Sequence, residues 1–223
     1  MRRLPTLTLP LALGLACLAA GCSDGRSHAR AICVLVDVSG TYADQRADVV
    51  RIVKAGLLPH VLPGDSLFVI RIEDGSYGKE SVEATATFDA QPSHANAQKL
   101  AIAAKLDRFA AAGGRARHTD ISGALLLAAE YLRETRAGRK TVVIFSDMKE
   151  ELPRGAQRTL PADELTGIDV VAMNVKRLAA DQLDPSGYRK RLDAWNTRLA
   201  AASVASFKVV LDPEELAGLM AQR

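Results

Sequence analysis

One stretch of sequence decides the fold: Ala31-Ile32-Cys33-Val34-Leu35-Val36-Asp37-Val38-Ser39-Gly40-Thr41. Its first six residues are apolar, which is typical of a strand buried on both faces of a sheet. An aspartate and two hydroxyl residues follow at a spacing of two. An extended or turning backbone can point such alternating side chains inward, and Gly40 permits the turn. The stretch therefore predicts a buried strand that ends in a cluster of oxygen-bearing side chains.

Outward from this stretch, short apolar runs alternate with helical patterns. The patterns predict strands over residues 31–36, 66–72, 82–88, 141–145, 169–175 and 207–211, and helices over 45–58, 93–112, 121–133, 186–202 and 213–221. Such alternation favours an α/β fold of three layers, a doubly wound and mainly parallel sheet with helices on both faces. In 82–88 apolar and polar residues alternate, which favours one antiparallel edge strand.

The length and amino-acid composition limit the classes to which the protein can belong. The chain has 223 residues, a length ordinary for one α/β domain. Its 29 basic and 26 acidic residues nearly balance, so no nucleic-acid-binding surface is indicated. Hydrophobic residues make up 48% and aromatic residues only 4%, which favours an aliphatic core. The oligomeric state does not follow from these figures.

Residues 1–22 carry the pattern of a secretion signal. Arg2 and Arg3 form a short positive start, and a charge-free apolar stretch follows over residues 4–20. This stretch falls slightly short of the ~20 apolar residues that a membrane-spanning helix needs. We therefore expect a signal peptide over residues 1–21, separate from the fold.

The end of that segment, Leu18-Ala19-Ala20-Gly21-Cys22, resembles a bacterial lipobox, with Ala19 where a lipobox more often has Leu. The resemblance implies cleavage after Gly21 and attachment of lipid to Cys22. Simple cleavage and an uncleaved anchor are the alternatives. With lipid on Cys22, residues 22–30 would be a tether and residues 31–223 a domain at a bacterial envelope membrane, facing the periplasm or the exterior.

Three polar segments stand where ligands bind in parallel sheets, beyond the carboxyl ends of strands. They are the segment 37–41, His118-Thr119-Asp120 before the third helix, and Asp147 directly after the most apolar strand. A carboxylate that ends a buried strand is costly unless it is paired or bound to a metal. Taken singly, such residues also serve as turn formers or helix caps, and for Thr119 and Asp120 capping and ligation can coexist.

Asp37-x-Ser39-x-Thr41, followed by Thr119 and then Asp147, resembles the metal-ion-dependent adhesion site of von Willebrand factor type A domains. The resemblance covers residues 31–223. It implies that Ser39, Thr41 and Thr119 bind a divalent metal directly, while Asp37 and Asp147 act largely through water. It also implies that an Asp or Glu of a protein partner completes the coordination shell. Such hard oxygen ligands suit Mg²⁺ or Mn²⁺.

Asp120 is a candidate outer-shell group of this site. The function that we expect is metal-dependent binding of a protein partner by an envelope lipoprotein, without catalysis. One alternative is an interaction module of the same fold that needs no metal. Another is a magnesium-dependent hydrolase with Asp37 as nucleophile. We find no paired carboxylates or glycine-rich phosphate loop, and Ser39 stands where enzymes resembling haloacid dehalogenases have Asp.

Overall fold

The computed structural model describes residues 28–40 and 42–221. In this part of the chain the strands are β1 (Arg30–Asp37), β2 (Ser66–Ile72), β3 (Val82–Thr87), β4 (Arg139–Phe145), β5 (Ile168–Met173) and β6 (Ser206–Val210). The helices are α1 (Arg46–Gly56), α2 (Pro92–Ala111), α3 (Ile121–Glu134), α4 (Ala179–Leu183), α5 (Pro185–Ala201) and α6 (Glu215–Ala221). The predicted signal peptide, Cys22 and Thr41 lie outside the described residues.

The six strands form one sheet in the order β3-β2-β1-β4-β5-β6. All neighbours pair in parallel except β2 and β3, which pair antiparallel. The prediction of a mainly parallel, doubly wound sheet with one antiparallel edge strand is therefore confirmed. The first and fourth strands are neighbours, so the strand order reverses between them, at the place where such sheets hold their ligands.

Side chains of β1 alternate between two separate hydrophobic clusters, as the period of a strand requires. Ile32, Val34 and Val36 belong to the cluster that includes residues of α1, α2 and α6. Cys33 and Leu35 belong to the other cluster, together with residues of α3 and α5. Each face of the sheet is thus covered, which explains why β1 is apolar along its length.

Some boundaries differ from the prediction. Arg30, assigned by sequence to the tether, is the first residue of β1 and only 7% exposed. Its guanidinium forms a buried ion pair with Asp65, at 2.7 Å between Nη2 and Oδ2. The short helix α4 was not predicted, because five residues are too few to show a helical period. In the described ranges, no helix combines the length and apolarity needed to cross a membrane.

The Arg30–Asp65 pair yields a stability prediction. Asp65 accepts hydrogen bonds from the Arg30 backbone and side chain and from the Leu62 backbone. Because Asp65→Ala leaves a buried guanidinium without its partner, we expect a loss of about 3–5 kcal/mol in the free energy of unfolding. Urea unfolding measures it. The matched control is Asp107→Ala, which breaks the exposed Lys54–Asp107 pair and should cost under ~1 kcal/mol. Equal losses in the two variants would contradict the prediction.

Candidate metal centre

The candidate site lies beyond the carboxyl ends of β1 and β4, where the strand order reverses. The parallel register places Val36 opposite Phe145, so the residues that follow them, Asp37 and Ser146, adjoin. Gly40 has a φ of +46°, a conformation that glycine adopts without steric cost, and the chain turns away there. The two strand ends therefore bring their polar residues to one rim of the sheet.

Asp37 is the centre of the hydrogen-bond network. It is 1% exposed, and its Oδ1 accepts from the Ser39 backbone N–H at 2.9 Å and from Ser39 Oγ at 2.6 Å. Its Oδ2 accepts from Ser146 Oγ at 2.6 Å. Each carboxylate oxygen thus bonds the end of a different strand, which fixes the orientation of the side chain.

Ser39 also contacts Thr119, with 2.5 Å between the two hydroxyl oxygens. A hydroxyl carries one proton, and that of Ser39 is directed to Asp37, so Thr119 is the donor in this pair. The Thr119 backbone is held by two hydrogen bonds with the Glu151 backbone, at 2.8 and 3.0 Å. Two neutral hydroxyls from distant parts of the chain therefore converge beside a buried carboxylate.

Asp147 supplies a second carboxylate at the same rim. It is 8% exposed, and its Oδ1 accepts from the Lys149 backbone N–H at 2.8 Å. In the described part of the chain its Oδ2 receives no hydrogen bond. Its negative charge is close enough to raise the pKa of Asp37.

Burial dominates the electrostatics of both carboxylates. It raises the pKa of Asp37 from 3.8 to about 6, although Ser146 and Ser39 donate to the charged form. Burial likewise raises the pKa of Asp147, while the Lys149 backbone and Arg191 oppose the rise. The pKa of Tyr42 is raised as well, first by burial and then by these two carboxylates. The rim therefore concentrates negative charge in a poorly solvated place, where a cation would be stabilised.

The structure thus brings together three of the five predicted metal ligands: Asp37 and Thr119 each contact Ser39, and the charge of Asp147 acts on Asp37. Thr41 lies outside the described residues. Ser146 was missed, although its place at the end of a strongly apolar strand, one residue before Asp147, was a usable signal.

Asp120, the candidate outer-shell residue, uses both carboxylate oxygens within the protein. Oδ1 accepts from the Gly123 backbone N–H at 2.7 Å and caps the start of α3. Oδ2 accepts from Arg158 Nε at 3.0 Å. A Cβ at position 123 would lie 2.3 Å from Oδ2, so glycine is required under this carboxylate. The helix-cap reading of Asp120 is therefore realised, and its outer-shell role stays a prediction.

The donor set fits a small hard cation. Hydroxyl and carboxylate oxygens suit Mg²⁺ or Mn²⁺, which keep part of their shell as water. Among residues 28–40 and 42–221, no group of three His, Cys, Asp or Glu side chains is placed to hold a metal. Ser39 and Thr119 are the described side chains that would contact the ion, flanked by Asp37 and Asp147.

Comparison of the sequence with protein-family models and with curated proteins finds no match. Solved structures do match the fold. A von Willebrand factor type A protein from Catenulispora acidiphila is 15% identical over 87% of this chain and 41% of that chain, with a TM-score of 0.51. This chain therefore spans less than half the length of the Catenulispora protein. An aerotolerance-related membrane protein from Bacteroides fragilis is 11% identical over 86% of this chain and 96% of that chain, with a TM-score of 0.47.

A third structure, the conserved hypothetical protein BatB from Bacteroides thetaiotaomicron, is 13% identical over 87% of this chain and all (100%) of that chain, with a TM-score of 0.44. The likeness to the Catenulispora protein shows the fold alone: the described chain has a von Willebrand factor type A-like fold. The family resemblance inferred from the sequence is thereby confirmed at the level of the fold.

The raised pKa of Asp37 yields a pH prediction for the metal-free protein. A folded-state pKa above the unfolded value stabilises the protein fully below about pH 4, and this contribution is lost as the pH rises through about 6. Asp37→Asn carries no charge. The unfolding free energy of the native protein should therefore fall relative to this variant between pH 4 and pH 7, by up to about 3 kcal/mol.

Urea unfolding of both proteins at several pH values measures this difference. Groups that titrate in the same way in both proteins contribute equally to both unfolding free energies, so their effect cancels in the difference. At pH 7, added Mg²⁺ should restore stability to the native protein and not to Asp37→Asn. A difference that does not change with pH would contradict the assigned environment of Asp37.

Proposed function

We propose that this protein is an envelope lipoprotein whose von Willebrand factor type A-like domain binds a protein partner through Mg²⁺ or Mn²⁺. One observation supports the proposal above others: Asp37, Ser39 and Thr119 share one hydrogen-bond network beside the buried carboxylate of Asp147. These groups come from three separate segments. Their convergence at the carboxyl ends of the central strands is the arrangement of a ligand site in this type of sheet.

In the proposed site, Ser39, Thr119 and Thr41 bind the ion directly, and Asp37 and Asp147 hold its water molecules. Neutral direct ligands leave most of the ion's positive charge uncompensated, so an incoming carboxylate is strongly attracted. An Asp or Glu of the partner is the ligand that this chemistry selects. The ion then bridges two proteins.

The hydrogen bonds of Asp37 favour this function over hydrolysis with Asp37 as nucleophile. Ser39 and Ser146 donate three hydrogen bonds to its two oxygens. Such bonds stabilise the carboxylate and reduce its nucleophilicity, because the oxygen lone pairs are engaged. They suit a carboxylate that holds water molecules around an ion.

The position of Ala29 bears on which end of the domain a lipid anchor would join. Ala29 lies at the amino end of β1, where its carbonyl oxygen accepts from the Gly138 backbone N–H at 3.0 Å. The candidate site lies at the opposite end of the same strand, roughly 25 Å away for eight residues at about 3.3 Å each. With lipid on Cys22, the anchor would join the domain at the end opposite the proposed metal site.

The central test is metal-dependent capture. We expect chelator to abolish capture of the partner from envelope extract by the native domain, and added Mg²⁺ to restore it. Ser39→Ala should weaken Mg²⁺ binding at least tenfold in calorimetry, because one direct ligand is lost, and should lose capture. The matched control is Ser66→Ala, which removes a buried hydroxyl at the other end of the sheet, bonded to Thr87 at 2.9 Å.

Ser66→Ala should bind Mg²⁺ as the native protein does. Capture that persists in chelator would favour the metal-independent interaction module. Absence of Mg²⁺ or Mn²⁺ binding by the folded native protein would overturn the proposed site.

Lipid attachment has its own test. We expect the full chain expressed in a bacterium to fractionate with membranes and to yield an acylated Cys22 in mass spectrometry. Cys22→Ala removes the acceptor thiol, so the lipid should be absent and the protein should leave the membrane fraction after cleavage, or remain as an uncleaved precursor. The matched control is Cys33→Ala, since Cys33 is buried in β1 and away from the predicted cleavage site. A native protein without lipid would contradict the anchor.

A further inference from the structure

Three side chains on one face of helix α5 donate hydrogen bonds to the loop 147–150, which carries Asp147. Arg191, Trp195 and Arg198 are spaced by four and three residues, so they share a face of the helix. Arg191 Nε donates to the Asp147 carbonyl oxygen at 2.9 Å, Trp195 Nε1 to the Met148 carbonyl oxygen at 2.7 Å, and Arg198 Nη1 to the Glu150 carboxylate at 2.9 Å. We call these three side chains the α5 clamp.

The side chains of the clamp are themselves fixed. Arg191 donates two hydrogen bonds to the buried carboxylate of Asp181, at 3.0 and 2.8 Å, and its guanidinium lies 5.5 Å from the ring centre of Tyr188. The Arg198 guanidinium lies 4.2 Å from the ring centre of Trp195. Bidentate ion pairs and cation–π contacts restrict rotamers, so the clamp presents its donors in a fixed geometry.

The loop needs this support because Met148 has an unfavourable backbone conformation. Met148 is fully buried and has a φ of +62°, which is rare for a residue with a side chain of this size. Such a conformation is strained and persists only where the surroundings impose it. Met148 directly follows Asp147, so relaxation of Met148 would rotate the adjacent carboxylate.

The clamp also reaches the helix that follows Thr119. Arg198 Nη2 donates to Ser122 Oγ at 2.5 Å, and Glu150 accepts from the Ser122 backbone N–H at 2.7 Å. Ser122 lies in the first turn of α3. The start of α3, just after Thr119, and the loop that carries Asp147 are therefore bonded to the same helix.

We infer that the α5 clamp is the positioning element of the metal centre: it fixes the place of Asp147 and thereby sets the affinity for Mg²⁺. The inference rests on the proposed function for the ion itself. The clamp residues act through the loop 147–150 and do not contact the ion. Mutation of residues that orient metal-binding groups in this way typically weakens metal affinity by about 10- to 100-fold.

The first measurement is Mg²⁺ affinity by calorimetry. Arg191→Lys keeps the charge and loses the planar fork that joins Asp181 to the Asp147 carbonyl oxygen. We expect about tenfold weaker binding, the lower end of the effect of such residues. The matched control is Arg189→Lys on the exposed side of α5, which should bind within about twofold of the native protein. Unchanged affinity in Arg191→Lys, with a lower unfolding temperature in chelator, would reduce the clamp to a structural contact and overturn the inference.

The second measurement uses Trp195, the single tryptophan of the chain. Because its indole N–H donates to the Met148 carbonyl oxygen, its fluorescence reports on the loop. We expect Mg²⁺ to shift the emission of the native protein, with the same midpoint as calorimetry. An emission that does not respond while calorimetry shows binding would overturn the coupling between the ion and α5.

The third measurement needs no metal and separates this inference from the proposed function. In chelator, amide hydrogen exchange at Met148 and Lys149 should be at least tenfold faster in Arg191→Lys and in Trp195→Phe than in the native protein. Exchange at Val34 in the central strand should not change. If the native protein binds no Mg²⁺, the proposed function and the role in affinity both fail, and faster exchange still supports positioning of the loop by α5. Unchanged exchange overturns that positioning as well.

Discussion

The carboxylate of Asp37 joins the carboxyl ends of the two central strands, β1 and β4. One oxygen accepts from Ser39, which continues β1, and the other accepts from Ser146, which continues β4. The β1–β4 pair is the one place where the two halves of the sheet meet. Burying this charge is unfavourable, as the raised pKa of Asp37 indicates, and the three donors offset only part of that cost. A cation at this point would offset the rest of that cost.

The periodicity of apolar residues predicted the strands and helices of the fold. The polar residues at the strand ends predicted where the candidate site lies. Long apolar runs such as 141–145 locate buried strands, because a strand covered on both faces has no polar side to show. The placement of Asp37 and Asp147 at one rim followed from local pattern and from the rule that ligands bind beyond the carboxyl ends of parallel strands. Thr119 joined this set only through the family resemblance.

The remaining features depend on contacts between distant residues, which no periodic pattern encodes. Arg191 lies 44 residues beyond the Asp147 whose carbonyl it bonds, and Arg198 lies 48 residues beyond Glu150. In sequence these arginines are indistinguishable from solvated charges on a helix. Arg30 was assigned to the tether for the same reason, since only the fold supplies Asp65 as its buried partner. Ser146 bonds Asp37 over 109 residues, and its importance depends on the parallel register of β1 and β4.

The eight-residue strand β1 has a mechanical consequence. It carries the entry of the chain at Arg30 and the candidate site beyond Asp37, so its two ends are the points where an anchor and a partner would pull. A pull between them runs along the strand axis. The covalent backbone of β1 carries the part of the force that enters at Ser39. The part that enters at Asp147 passes from β4 to β1 through their parallel ladder, whose hydrogen bonds are loaded together in shear instead of opening one after another.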